Sequence, residues 1–457
     1  MRAWVGQVAL IVGVAYVLAL GWAMQHLSYD VWGAMIIGPL IVVVSYPVVR
    51  KVLLPHDSRL VTIAMAGLLA KVVGSIVRYW IAFDAYGGLV DAGRYHDYGR
   101  TLAAQIRSGD TSLLRVIPTG TGTAFIERLT ATVYTVFGSS RLAGFMLFGW
   151  MAFWGSMLYL SAVMIAVPGI AVRRYALLVM LAPSLVYWPS AIGKEAFLMP
   201  CLGLAAYGGA RVFVGQRVWR AAALIAIGLG IAALVRPHLA GMWLAGITAA
   251  LIGGLFVKRE HGRHRSRSAT VVLLVIAAVA LSFVAAFAIR YLDPGNEEAS
   301  ATSTSSAVDI FADVGRRTEQ GGSGFQTIKL SGPTSWPFAI VRTMTRPLPN
   351  EARSLAELLP AVEMAVLMLA ALVGWRRFAN IPRMLRRSSY LLFTLSIVMM
   401  FGLAFTSIGN LGILTRQRSL ALPLMLLPWC LPAWTSRRTS AAVVSTAPGR
   451  AATSVGA

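Results

Sequence analysis

Twelve apolar runs, separated by short basic or turn-forming stretches, leave this chain few folds to choose from. They lie at 3–24, 31–49, 60–83, 142–166, 174–188, 195–213, 219–235, 239–257, 269–289, 358–375, 389–408 and 419–436. A hydrocarbon core about 30 Å thick takes roughly 20 apolar helical residues per crossing. Inside lipid every backbone N–H and C=O must find a partner within the protein, which makes such runs helices. The expected fold class is therefore all-α, a polytopic transmembrane helical bundle of about 12 spans. Run 174–188 is short and holds Pro183, and the last run is interrupted by Pro423 and Pro428. Only 13% of residues are charged, against about 25% in soluble domains, which excludes a soluble enzyme or a disordered chain. The two cysteines, Cys201 and Cys430, both fall inside apolar runs, so neither a disulfide framework nor a cysteine metal cluster is expected. The first run lacks an A-x-A-like cleavage site and reads as a retained helix.

The net charge of +23 comes from 41 Lys and Arg against 18 Asp and Glu. In a soluble chain that excess would suggest nucleic acid, but in a membrane protein the positive-inside rule applies first. With the N-terminus cytoplasmic, the inner segments 50–59, 173–174, 211–220, 258–267, 376–387 and 437–450 collect almost all of the excess. They carry Asp57 and Glu260 as their only acids, so the cations anchor loops against anionic lipid and no nucleic-acid partner is needed. Both termini are then cytoplasmic. The chain divides into two N-terminal helices (1–58), a transmembrane core (59–289) with outer loop 84–141, a long extracytoplasmic loop (290–357), C-terminal helices (358–438) and a disordered tail (439–457).

Every chemically suggestive residue falls on the outer side of this threading. Ala92–Ile106 has helical spacing, with Tyr95, Tyr98, Leu102 and Ile106 on one side, and is expected as an interfacial amphipathic helix. Asp91 at its start could be an N-cap or a general base, with His96 and Asp84 as the other catalytic candidates. Lys194 and Glu195 open a span after a Trp188–Gly193 turn. They read either as a cap and charge pair or as a phosphate contact. Arg236 and His238 form a very short outer turn. Arg342 and Arg346, four residues apart on one helical face, make an anion clamp or the basic edge of an interfacial helix, with Glu351 following. Arg416 and Arg418 add two cations at a helix entry. No metal ligand set is read, although Asp84 and Asp91 could hold a divalent cation together with a phosphate. Lys71 and Arg78 lie within a span, where an ionisable side chain is a functional candidate by default. The spans lack a mid-span carboxylate, although Glu363 enters one near its outer end, and this counts against proton-coupled transport.

The segment Asp91-Ala92-Gly93-Arg94-Tyr95-His96, its amphipathic helix and the following Thr123–Gly138 stretch resemble the first outer loop of GT-C type glycosyltransferases. The Ser-Ala-Ile-Gly-Lys-Glu turn at 190–195, Arg-Pro-Leu-Pro-Asn-Glu at 346–351 and Asn-Leu-Gly-Ile-Leu-Thr-Arg-Gln-Arg at 410–418 resemble bacterial exopolysaccharide polymerase-like membrane proteins. The resemblance implies sugar transfer from a polyprenyl-phosphate-linked donor on the extracytoplasmic face, with an acid of the first outer loop as base. It implies a lipid-linked sugar donor, a glycan acceptor, membrane lipids and other polysaccharide-assembly proteins as partners, in a bacterial plasma membrane. The chain departs from the pattern in three places. Asp91 follows the third span rather than the first, no adjacent acidic pair is present, and 290–357 has no histidine. A lipid-linked polysaccharide polymerase or ligase is the alternative, and a transporter or flippase for an anionic lipid-linked substrate is the further one.

Overall fold

The computed structural model describes residues 2–88, 90–110, 121–256, 267–292, 324–325 and 332–434. Among them the fold is helical throughout, with no strand beyond a single bridge between Gly324 and Asn410. The helices are α1 (Arg2–His26), α2 (Tyr29–Leu53), α3 (Ser58–Trp80, continued by a π-helical turn Ile81–Ala85), α4 (Asp91–Arg107), α5 (Thr123–Phe137) and α6 (Arg141–Ala166). Then come α7 (Val172–Leu181), α8 (Pro183–Tyr187), α9 (Lys194–Phe213), α10 (Val218–Val235), α11 (Pro237–Gly253) and α12 (Arg267–Leu292). The chain ends with α13 (Trp336–Thr345), α14 (Leu355–Val373), α15 (Trp375–Phe378), α16 (Ile381–Leu385), α17 (Ser389–Ala404) and α18 (Leu411–Met425). Eight of these are long and apolar enough to cross a membrane: α1, α2, α3, α6, α9, α10, α12 and α17. This is a helical membrane protein.

The other four apolar runs are not simple spans, and each departure has a local cause. Run 174–188 breaks at Ala182, whose ψ of 127° is extended, as expected for a residue forced out of the α region by the following Pro183. Run 358–375 bends by 77° where α14 meets α15 and α16. The helix in run 239–257 is 17 residues long. The last run belongs to a helix that starts earlier, at Leu411, and turns 3-10 at Leu427–Cys430.

Contacts sort the helix ends into two groups. At one end Arg173 pairs with Asp57, the Ala171 amide donates to Cys430 O at 2.9 Å and the Trp434 amide to Arg376 O at 2.8 Å. At the other end Tyr29 donates to Phe137 O at 3.2 Å and the Gly122 amide to Leu234 O at 2.8 Å. The core lies along α6 and α9, which touch backbone to backbone. A Cβ on Gly155 would sit 2.5 Å from Met199 C, and one on Gly203 would sit 2.8 Å from Gly155 O. Small residues permit this approach in the bilayer, where van der Waals packing and interhelical hydrogen bonds hold helices together.

Two buried ionisable groups, Lys71 and Glu363, serve the broken span. The Ser184 amide in the first turn of α8 donates to Glu363 Oε2 at 3.1 Å, and Lys71 Nζ donates to Leu185 O. A carboxylate at the N-terminal end of α8 and an ammonium on one of its carbonyls match the helix dipole. They also satisfy backbone groups that the break leaves open. Glu363 is thus buried, 7% exposed, two turns inside the helix that starts at Leu355.

Candidate functional site

Four helices begin at the same end of the bundle, and their opening turns, the first or the second, carry the site. Asp91 is the first residue of α4, Lys194 and Glu195 open α9, Arg236 is the N-cap of α11, and Arg416 lies in the second turn of α18. Asn410 caps α18 by accepting from the Ile413 amide at 3.1 Å. Gly93 lets the loop before α4 fold back tightly, since a Cβ there would fall 2.2 Å from Gly88 O.

Glu195 is the centre of an ion cluster. Its Oε1 lies 2.8 Å from Arg236 Nη2 and its Oε2 lies 2.7 Å from Arg416 Nε. Arg416 extends the chain to Asp91, donating from Nη1 to Oδ2 at 2.7 Å, while Arg236 Nη1 donates to Gln417 Oε1 at 2.6 Å. The side chains of Glu195 and Arg236 are only 4% and 9% exposed, whereas Asp91 is 59% exposed. The cluster therefore runs from a buried floor to a solvent-facing carboxylate. Lys194 stands at its edge, half-buried, with the charges of Arg236, Glu195, Arg416 and Asp91 acting on it. Among the described residues no carboxylate comes within ion-pair distance of its ammonium. Three cations against two acids, together with four positive helix ends, favour an anionic ligand.

Tyr95, one turn after Asp91, is buried under this cluster. Burial, followed by the Asp91 charge, pushes its hydroxyl up to about 12, so it stays a neutral donor. His238 also points into the protein, with its Nδ1 buried and without a partner among the described residues.

The remaining sequence candidates lie elsewhere. Asp91 does not cap α4. The N-cap is Val90, and the Asp91 carboxylate is committed to Arg416. His96 turns away from Asp91, its Nδ1 lying 2.7 Å from the Tyr134 hydroxyl between α4 and α5. Asp84 is exposed in the π-helical turn, and among the described residues no group of three or more His, Cys, Asp or Glu could hold a metal. The Arg342–Arg346 clamp is filled by the chain's own Glu351, at 3.2 and 2.8 Å. Burial alone would raise the Glu351 carboxyl. Bonds from Arg346 and the Leu348 amide, with the charges of Arg346 and Arg342, outweigh it and hold the group below its usual range. Arg418 is 1% exposed and donates to Met344 O at 2.9 Å and to Arg346 O, tying α13 to α18. Two residues apart on a helix, Arg416 and Arg418 face different neighbours.

The buried stripe of α4 is only partly the one its large residues suggest: Tyr95 is buried and Leu102 and Ile106 are half-buried, but Tyr98 is not. Ala92, His96, Gly99 and Ala103 are buried against α5, whereas Tyr98 is exposed. Arg94 fastens the pair to Glu127 at 2.9 Å. Residues 293–323 and 326–331 of the long loop and the tail 439–457 lie outside the described residues. Gln417 was not singled out by its sequence position; its one signal is that it sits between two arginines at a helix entry.

His96 gives a pH prediction. Burial first, then the Arg141 charge, holds its ring down to about 4 from the ordinary 6.5. Between those values the unfolded chain binds a proton that the native one refuses, so stability falls as pH drops from about 6.5 to about 4. The unfolding midpoint of the native chain is expected to decline across that window, and that of His96→Asn to decline less. Parallel pH profiles would assign the titration to other groups.

No protein-family model, curated protein or solved structure matches the chain.

Proposed function

We propose that this chain is an integral membrane glycosyltransferase that takes sugar from a polyprenyl-phosphate-linked donor at the extracytoplasmic face of a bacterial plasma membrane. One observation carries the reading: Asp91, Lys194, Glu195, Arg236 and Arg416 meet at one end of the bundle, under four helix N-termini. In this reading Asp91 accepts the proton of the acceptor hydroxyl as its oxygen bonds to the anomeric carbon. The bond from that carbon to the phosphate oxygen breaks, and the polyprenyl phosphate leaves with the electron pair. Lys194 neutralises the leaving group, which is electrostatic stabilisation at the point where charge develops. Glu195, itself paired with Arg236, holds Arg416, and Arg416 aims Asp91. A lipid-linked polysaccharide polymerase or ligase would use the same groups on a longer glycan donor. Product length from one defined donor separates the two.

The direct test is turnover of a polyprenyl-phosphate sugar by the purified chain, with donor binding measured for Lys194→Ala. Loss of one phosphate contact is expected to weaken donor binding about tenfold, the scale of a charged hydrogen bond. Unchanged binding would remove Lys194 from the phosphate site. The twelve-crossing threading, with four broken or short segments completing the eight long helices, carries its own test. Single cysteines in 258–268 are expected to label only after permeabilisation, and those in 290–357 from outside. The reverse pattern would put the cluster on the cytoplasmic face and sink the reading.

A second reading, transport of an anionic lipid-linked substrate, draws on the break between α7 and α8, because discontinuous spans recur at transporter midplanes. Movement of labelled lipid across vesicles without chemical change would favour it.

A further inference from the structure

We infer that the groove between α2 and α3, at the end of the bundle opposite the ion cluster, binds one anionic phospholipid of the cytoplasmic leaflet. The groove has a volume of about 510 Å³, and most of its lining residues are exposed. On α3 its lining residues Ser58, Thr62, Met65, Ala66 and Leu69 recur at helical spacing and so form one stripe. At 1.5 Å rise per residue, that stripe is about 16 Å long. It passes from hydroxyls at the helix start to apolar side chains deeper in, the polarity order of a phospholipid from headgroup to acyl chain.

Arg50, in the last turn of the antiparallel α2, lines the hydroxyl end. It is exposed, and among the described residues no carboxylate is within ion-pair distance of it. The acid nearest in sequence, Asp57, is engaged by Arg173 and by the Arg59 amide. Asp57 caps the N-terminus of α3 and Arg173 meets its charge, so Arg50 supplies the positive charge at this level. A cation and hydroxyl donors over an apolar trough complement a phosphodiester whose chain runs into the bilayer. The site does not rest on the glycosyltransferase chemistry; its assignment to the cytoplasmic leaflet rests on the same threading.

The test is native mass spectrometry of the full detergent-purified chain titrated with phosphatidylglycerol or phosphatidylcholine. One phosphatidylglycerol is expected to be retained in preference to phosphatidylcholine. Arg50→Ala is expected to reduce its retention about fivefold, the worth of one basic residue at an anionic surface. Ala66→Phe, which fills the trough, is expected to abolish retention without altering the headgroup end. Inorganic phosphate should not compete, since it gains nothing from the apolar wall. Equal retention of both lipids overturns the proposal. So does an equal loss in Lys51→Ala, which lies outside the groove, because diffuse surface charge would then explain the binding.

Discussion

Glu195→Ala is expected to destabilise the folded chain by about 3–5 kcal/mol, because it leaves a buried cation without its partner. The Arg236 guanidinium is 9% exposed and has Glu195 and Gln417 as its polar contacts here. Removing the carboxylate leaves that charge in a site that water reaches poorly. Arg416 suffers less, since Asp91 remains within 2.7 Å of it. The matched control is Asp91→Ala, which breaks the exposed arm of the same cluster and should cost no more than about 1 kcal/mol, as for a surface pair. Unfolding in mixed micelles, followed for both variants, measures the difference. Replacing Glu195 and Arg236 together by methionine should recover most of the loss, because apolar residues of similar volume often match or exceed a buried pair. A Glu195→Ala variant within 1 kcal/mol of the native chain would show that solvent hydrates the cluster floor.

Much of the bundle was legible because lipid imposes a crude rule. Helices of sufficient length must be apolar, and apolar run length can be counted. That counting finds α1–α3, α6, α9, α10, α12 and α17 directly. It misses features that depend on a partner helix. The interruption at Ala182 follows from Pro183, but its repair by Glu363 and Lys71 joins residues of three separate helices. The buried face of α4 is legible only in part for the same reason, at Tyr95 but not at Tyr98. Large side chains such as Tyr98 suggest the apolar side, yet the helix buries Gly99 and Ala103 because α5 comes close. A Cβ on Gly99 would lie 2.6 Å from Thr130 Cγ2.

The site shows the same division. Ionisable groups at helix entries mark themselves out, so Asp91, Lys194, Glu195, Arg236 and Arg416 were all recognisable as candidates. Their grouping was not, since Asp91 and Arg416 are 325 residues apart. Arg346 and Arg416 look alike in sequence. What separates them is that Glu351, five residues on, returns to fill the first, whereas Arg416 meets carboxylates from α4 and α9. Glu363, which the sequence places near the outer end of a span, is buried beside α8, a contact that span counting cannot foresee.

Asp91→Asn is the substitution with the largest expected effect on activity, a loss of at least about a hundredfold in sugar transfer, the low end of a general-base contribution. The structure makes this a clean exchange. The N-cap of α4 is Val90 and no helix bond depends on the Asp91 side chain, so its replacement leaves the helix start intact. The asparagine amide oxygen can still accept from Arg416, as Asp91 Oδ2 does at 2.7 Å, and the side chain is 59% exposed. Folding and insertion should therefore match the native chain, while the variant has no carboxylate to take the acceptor proton. His96→Asn supplies the contrast, because His96 packs against Tyr134 away from the cluster and is expected to change stability but not the chemical step. Asp84→Asn should also leave turnover near the native value, since Asp84 is exposed and outside the ion cluster. Native turnover by purified Asp91→Asn would show that Asp91 only positions Arg416. Glu195, shielded by two arginines, would then be the remaining carboxylate of the cluster to test.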